Sequence, residues 1–223
     1  THILPNVDDG SNSIEMSEKM IQNSVEENVK CIFLTPHVNS SVKDENIKKS
    51  HRLNYEKILH FEKKYNIKLI LGSEIYISQS FPKFDFSQFT LGNSKFLLVE
   101  FSTYHNTQIL EHTFNLIKSG YSVIIAHVER YRYLSKNDLL ELKSIGALLQ
   151  LNCSSILNRK NRKLFNKSIQ LIKNNLVDFI SSDSHNLSSR PSKMNQGYEY
   201  IKKKFNIEIA ENLFYKNAQK ILN

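Results

Sequence analysis

With only two cysteines among 223 residues, the chain has no disulfide framework to staple it. Cys31 and Cys153 each sit in an apolar stretch, as expected of reduced thiols in a cytoplasmic protein. No apolar run approaches the roughly 18 residues that a bilayer-spanning helix requires, which argues against membrane insertion. Gly/Pro/Ser-rich linkers are missing, and so is any repeat long enough for a solenoid. Residues 1–223 therefore read as one domain, large enough to bury about 70% of the surface its unfolded form exposes. The chain also lacks an initiator Met and a targeting segment ahead of Thr1 and His2. The expectation is that its natural start, with a first strand, lies upstream.

Acidic residues are the minority, 22 Asp and Glu against 30 Lys and Arg, for a formal net charge of +8. Such a surplus favours anionic partners. The lysines are scattered, however, as in "NIKKS" and "KNNLVD", and no basic stripe with interleaved aromatics appears. Nucleic acid is therefore not expected as a partner.

What is present is an alternation of short β-branched runs with amphipathic stretches, the pattern of a βα-repeating α/β fold. The strand-like runs are "CIFLT" (31–35), "IKLILG" (67–72), "KFLLVEF" (95–101), "SVIIAH" (122–127), "ALLQLN" (147–152) and "VDFISS" (177–182). With the strand expected before His2 they make about seven. Several are continuously apolar, as strands covered on both faces are. Between them, Ile14, Ile21 and Val25 share one helical face, as do Ile109, Leu110, Phe114 and Ile117. The last segment, about 192–222, reads as two helices broken near Asn206.

Nearly every strand-like run ends in a potential metal ligand. His37 follows "CIFLTP", Glu74 follows "LILGS", Glu100 closes "FLLVE", His127 closes "IIA", Asp183 and His185 close "FISSDSH", and His2 and Asp9 flank the first turn. In a βα barrel the C-terminal strand ends converge on one face, so these side chains are expected to meet there. Four carboxylates at close range need countercharge. The O and N donor set suits Mn, Fe or Zn rather than a thiolate zinc site. Were three divalent ions held, their charge would exceed that of the four carboxylates by about two, a surplus suited to hydroxide and a phosphate ester.

The motifs "HILPNVDDGS", "TPH", "GSEIY", "LLVEF", "AHVERY" and "SSDSHNLSSRP" resemble, in order and over almost the whole chain, those of the polymerase-and-histidinol-phosphatase (PHP) metallophosphoesterases. Within that family they are most similar to the bacterial protein-tyrosine phosphatases of capsule and exopolysaccharide loci. The resemblance implies a distorted (β/α)7 barrel with up to three metal ions, manganese first and iron or zinc next. It implies that His2, Glu74 and Asp183 hold one ion, that Glu74, Glu100 and His127 hold a second with Glu74 bridging, and that Asp9, His37 and His185 hold a third. The family opens with H-x-H, and the first of these histidines would fall immediately before Thr1. Arg130 in "HVERY" and Arg190 in "NLSSRP" are assigned to phosphate binding, since a guanidinium fork takes two phosphate oxygens.

The reaction expected is metal-dependent hydrolysis of phosphotyrosine on protein by activated water, without a phosphoenzyme. The implied substrate is the Tyr-rich tail of a bacterial tyrosine kinase controlling polysaccharide synthesis. Two alternatives stand beside it: a small-molecule phosphatase such as a histidinol-phosphatase, and a degenerate barrel that binds without hydrolysing. A thiolate mechanism is suggested by the C-x5-R spacing of "CSSILNR", but no glycine lies between Cys153 and Arg159 to shape a phosphate cradle, so Cys153 reads as a small apolar residue. Asp8 reads as a supporting carboxylate or a turn end. His51, His60, His105 and His112 read as surface or packing residues. Arg132, Arg159 and Arg162 are taken as solvated surface, and Tyr131 and Tyr133 as barrel packing.

Overall fold

A computed structural model describes residues 1–41, 46–78 and 84–222. Among the described residues eight strand segments form in chain order: β1 Cys31–Leu34, β2 His37–Asn39, β3 Lys68–Leu71, β4 Glu74–Tyr76, β5 Phe96–Glu100, β6 Ser122–Ile125, β7 Leu148–Asn152 and β8 Phe179–Ser181. All pairings are parallel. β2-β4-β5-β6-β7-β8 make a six-stranded sheet, and β1 and β3 pair as a separate two-stranded one. The helices are α1 Ile14–Glu26, α2 Asn46–Ile58, α3 Phe61–Tyr65, α4 Ile109–Lys118, α5 Lys136–Ser144, α6 Cys153–Leu157, α7 Arg162–Lys173, α8 Met194–Lys204, α9 Ile207–Glu211 and, after a π-helical turn, α10 Asn217–Gln219. Among the described residues no helix is long and apolar enough to cross a membrane.

All six strand-like runs form strands, and among the described residues their pairings make two parallel sheets that do not close into a ring through strand pairing alone. Two runs continue beyond their expected ends as second segments, β2 and β4. The breaks fall at Thr35–Pro36 and Gly72–Ser73. Pro36 has no N–H for the ladder, while its carbonyl accepts from Glu74 N at 3.0 Å and restarts the pairing. A Cβ at Gly72 would lie 2.6 Å from Leu91 Cδ2, so a larger residue at this bend would have to displace that side chain. The first residues join the sheet ends: Thr35 N donates to Thr1 O (2.8 Å) and His2 N to Ser184 O (2.9 Å).

Local chemistry sets the helix starts. Ser13 caps α1 by accepting from Met16 N, Ser135 and Asp138 form a capping box on α5, and Asn206 caps α9 and ends the helical run before it. The buried face of α1 is Ser17, Met20, Ile21 and Ser24; of the expected Ile14, Ile21 and Val25, Ile21 is buried, Val25 packs partly buried against the same core, and Ile14 is exposed. On α4 it is Ile109, His112, Thr113 and Leu116, and Phe114 is exposed. On α1 the small polar residues of this face have their own bonds met locally. Ser17 Oγ donates to Ile3 O at 2.6 Å, and Ser24 Oγ to Met20 O at 2.9 Å. A hydrophobicity pattern does not register such a stripe.

Strand side chains alternate in direction. Leu97, Val99, Val123, Ile125, Leu149 and Leu151 face the main helical core. The intervening Phe96, Leu98, Ile124, Leu148 and Phe179 form a smaller cluster on the other face with Leu91 and Ile221.

Candidate metal centre

Following that second face toward the C-terminal ends of the strands, the same alternation turns polar: Glu100 on β5, Gln150 and Asn152 on β7, Ser181 on β8. His127 and Asp183 lie two residues beyond β6 and β8. Both have left-handed backbones, φ 35° and 50°, a conformation uncommon for residues other than glycine and enriched at functional sites. The register of β2 with β4 sets His37 beside Glu74. His2 is held by Gly10: Ser11 N donates to His2 O at 2.9 Å, and a Cβ on Gly10 would stand 2.0 Å from that oxygen.

All eight residues singled out at the strand ends come together, in three overlapping groups. Their potential ligand atoms lie within 4.8 Å of one another in each: His2, Glu74 and Asp183; Glu74, Glu100 and His127; and His2, Asp9, His37 and His185. The two oxygens of Glu74 divide between the first two groups, Oε2 at 3.2 Å from His2 Nε2 and Oε1 at 2.9 Å from His127 Nε2. Asp183 Oδ1 lies 3.5 Å from His2 Nε2, and Glu100 Oε2 lies 3.2 Å from His127 Nε2. Asp9 Oδ1 faces His37 Nε2 at 3.6 Å and His185 Nε2 at 3.5 Å. Donors each about 2.0–2.3 Å from one ion stand no more than about 4.6 Å apart, so these spacings suit metal ions. His185 Nε2 points the same way: it is buried and, among the described residues, has no hydrogen-bond partner.

Electrostatics carry the same signature. Burial alone would lower the pKa of His2, but Asp183, Asp8 and Glu74 overcome it and push the imidazole up to about 10. His127, desolvated yet facing Glu100 and Glu74, also rises to about 10. Glu74 is held well below the usual carboxylate range: its complete burial is outweighed by His127 and His2. Asp183 is likewise lowered, against its burial, by His2. His185 goes the other way, down to about 4, through burial and the nearby His2, whose ring centroid is 3.8 Å away. Without metal, protons on two imidazoles supply the positive charge that the carboxylates demand, while His185 keeps the neutral form that ligates metal.

Asp8 is the supporting carboxylate rather than a mere turn end. Its Oδ2 takes His2 Nδ1 at 2.6 Å and His37 N at 3.1 Å, and its Oδ1 takes Gly10 N at 3.0 Å. Such a carboxylate behind a ligating histidine fixes its tautomer and ring orientation. Arg190 Nη2 donates to Asp183 Oδ2 at 2.8 Å from a partly exposed position. Arg130 is exposed at the end of a 3-10 turn, Val128–Arg130, that begins just after His127. Its charge is felt by that imidazole.

Sequence reading assigned nothing to three buried groups beside the cluster: Gln150, Asn152 and Glu129. Glu129 Oε1 accepts from Asn152 N (3.1 Å) and Ser155 Oγ (2.6 Å), and burial raises its pKa. The signal for the amides was present as polar residues two apart in the apolar "ALLQLN". Cys153 is not poised for thiolate chemistry. It is buried at the start of α6 with Sγ donating to Lys193 O, and burial pushes its thiol up to about 12. Tyr131 is fully buried, its hydroxyl accepting from Phe101 N, and Tyr133 donates to Ser102 O. His51 and His112 are buried, whereas His60 and His105 are exposed. Arg159 lies over the rings of Phe165 and Tyr200.

A family model described as capsular polysaccharide synthesis, CpsB/CapC, matches residues 1–223. Tyrosine-protein phosphatase CpsB of Streptococcus agalactiae is 32% identical over 236 residues, covering 100% of this chain and 96% of that protein. Tyrosine-protein phosphatase YwqE of Bacillus subtilis is 30% identical over 232 residues, covering 99% of this chain and 89% of that protein. A chain from the crystal structures of YwqE from Bacillus subtilis and CpsB from Streptococcus pneumoniae, described as unique metal-dependent tyrosine phosphatases, is similar with TM-score 0.87 and 26% identity, covering 99% of this chain and 92% of that one. A chain in the cryo-EM structure of archaeal ribonuclease P with mature tRNA, at TM-score 0.62 and 15% identity over 92% of this chain and 85% of its own, shares the fold alone.

Proposed function

The chain belongs to the CpsB/CapC family of capsular polysaccharide synthesis, and on that premise we propose that it is a metal-dependent phosphatase hydrolysing phosphotyrosine on protein. The observation that carries this reading is the convergence of eight O and N donors in three overlapping groups that share Glu74 and His2. Its substrate is a phosphotyrosine-bearing protein, the Tyr-rich tail of a bacterial tyrosine kinase that controls polysaccharide synthesis. The names of the relatives and the description of the family support that choice.

In this reading His2, Glu74 and Asp183 hold one ion, Glu74, Glu100 and His127 a second, and Asp9, His37 and His185 a third. Manganese is the first candidate by family resemblance, with iron or zinc next, and carboxylates and imidazoles without thiolate suit all three. When bound, the metals supply Lewis-acid charge for the phosphoryl oxygens and bring the pKa of water toward neutrality. Asp8 keeps His2 in the tautomer whose Nε2 faces Glu74. Arg190, tied to Asp183 through one nitrogen, offers its remaining N–H groups to the phosphate, and Arg130 offers a second guanidinium from the rim. Loss of either is expected to lower turnover about 100-fold, the cost typical of removing one preorganised donor. A tyrosine phenolate leaves with a pKa near about 10, so it needs less general-acid help than an alkoxide.

The same reading takes residues 1–223 as a single distorted (β/α)7 barrel. Thr1 and His2 support it, because they bridge the ends of β1 and β8 where the ring would close. A cytoplasmic location is supported by the two free thiols, Cys31 and Cys153.

The test is hydrolysis of a phosphotyrosyl peptide and of histidinol phosphate at matched Mn, with chelator titrated in, beside His127→Ala and Arg130→Ala. The expected result is preference for the peptide, loss on chelation and loss in both variants. Preference for histidinol phosphate, or full activity in His127→Ala, would overturn the proposal.

A further inference from the structure

β6 and β8 each lead into a candidate ligand with a left-handed backbone, His127 and Asp183. β7, between them, carries two primary amides instead. Gln150 and Asn152 lie two residues apart on one face of the strand, both 5% exposed. Gln150 Oε1 accepts from His127 N at 2.6 Å. Gln150 Nε2 donates to Asn152 Oδ1 at 2.9 Å and to Ser181 Oγ at 2.7 Å. Asn152 Nδ2 donates to Asp183 Oδ2 at 2.6 Å.

These bonds can run in only one direction. Turning the Asn152 amide over would set its oxygen against the Asp183 carboxylate, and turning that of Gln150 would set N–H against the His127 N–H. The polarity of the chain of bonds is therefore dictated at both ends by groups that cannot reverse. Its effect on Asp183 is specific. Asn152 and Arg190 both engage Oδ2, which leaves Oδ1 directed at His2 Nε2. Its effect on His127 is to satisfy the N–H of a residue in a sparsely populated conformation, at the point where the ring must turn toward Glu74 and Glu100.

We propose that Gln150 and Asn152 are positioning residues acting as one unit, an amide relay across β7 that fixes the backbone of His127 and the free oxygen of Asp183 relative to each other. This inference rests on the reading of His127 and Asp183 as metal ligands. Groups that orient ligands in this way typically contribute 10–100-fold to metal affinity.

The experiment uses Asn152→Leu and Gln150→Met, which keep side-chain length without the amide, with Asn152→Ala, the Asn152→Leu/Gln150→Met double variant and His127→Ala. Mn affinity is measured by chelator competition, melting is followed on metal-free protein, and kcat and KM are measured on a phosphotyrosyl peptide. The expected outcome is Mn affinity about 10–100-fold weaker in each amide variant and kcat lowered with KM within about threefold. The metal-free variants melt cooperatively, and the double variant is no worse than the poorer single one, as members of one network behave. Mn affinity within twofold of the parent in the amide variants, with His127→Ala deficient, would overturn the relay and leave the metal reading standing. Additive losses would overturn the claim that the two amides act together. Parental Mn affinity in His127→Ala would instead overturn the metal reading itself.

Discussion

The two flanks of the centre are built differently. On the buried flank, His2, Glu74, His127 and Asp183 have side chains at most 9% exposed, and three of them are held from behind: His2 by Asp8, His127 through its backbone by Gln150, and Asp183 by Asn152 and Arg190. On the open flank, Asp9 is 64% exposed and His37 35%, and Asp9 faces two imidazoles at 3.5 and 3.6 Å. The buried ligands are braced by more hydrogen bonds from behind than Asp9, although all of them already lie close together. Preorganisation of this kind separates sites by affinity even when their donors are alike.

Replacing the residue that both buried groups share should break the comparison most severely. Glu74→Gln is expected to lower turnover on the order of 1000-fold or more and to remove about two ions by metal analysis; loss of only one would mean that Glu74 does not bridge. Next in size is Asp8→Asn, which removes the acceptor of His2 and should weaken Mn binding about 10–100-fold, measured by chelator competition. On the open flank, Asp9→Ala should cost about 10-fold at limiting Mn and recover in excess Mn, because the remaining ligands stay in place. A loss that excess Mn does not restore would show that the flanks are not independent.

The pH response sharpens the same contrast. In metal-free protein His2 and His127 are protonated up to about 10, so Mn entering the buried flank at pH 8 must displace their protons. Affinity there should rise with pH until about 10 and then level off, and calorimetry in buffers of different ionisation enthalpy should detect release of about two protons. His185, already neutral above about 4, contributes none. Stability has the matching signs. Asp8, depressed to about 2 by its bond to His2 against its burial, stabilises the metal-free fold above its ordinary pKa, and this share is lost as pH falls toward about 2. The share of His2 is full below its ordinary pKa and is lost as pH rises through about 10. The smallest effect is expected from Cys153→Ser, within about twofold of parental activity, with the parental thiol slow toward iodoacetamide at pH 8; a large loss would reinstate a thiol mechanism.

Much of this is legible in the sequence, for an identifiable reason. Strand runs and the donors closing them are written in local polarity, so Glu74, Glu100, His127 and Asp183 stand out wherever a βα repeat is recognised. The breaks at Pro36 and Gly72 were harder to see, because each is punctuation that a strand survives when its neighbour restarts the pairing. The buried stripe of α1 extends beyond its apolar residues because Ser17 and Ser24 bury hydroxyls satisfied by nearby carbonyls. The role of Gln150 and Asn152 is not legible in the sequence, because an amide in a strand has no preferred role until its partners are known.

The sequence by itself determined the donor types, their positions at the ends of successive strands and the charge that calls for divalent cations, since these follow from side-chain chemistry and the twofold period of a strand. Only the tertiary structure decided which oxygen of Glu74 faces which imidazole, that Arg190 leans on Asp183, and that β7 braces its neighbours. Those facts depend on bonds between residues as far apart as His2 and Glu74 or Asn152 and Asp183. Hydrogen bonds and coordination are set by tenths of an ångström, a scale at which spacing along the chain says nothing until the backbone has been folded.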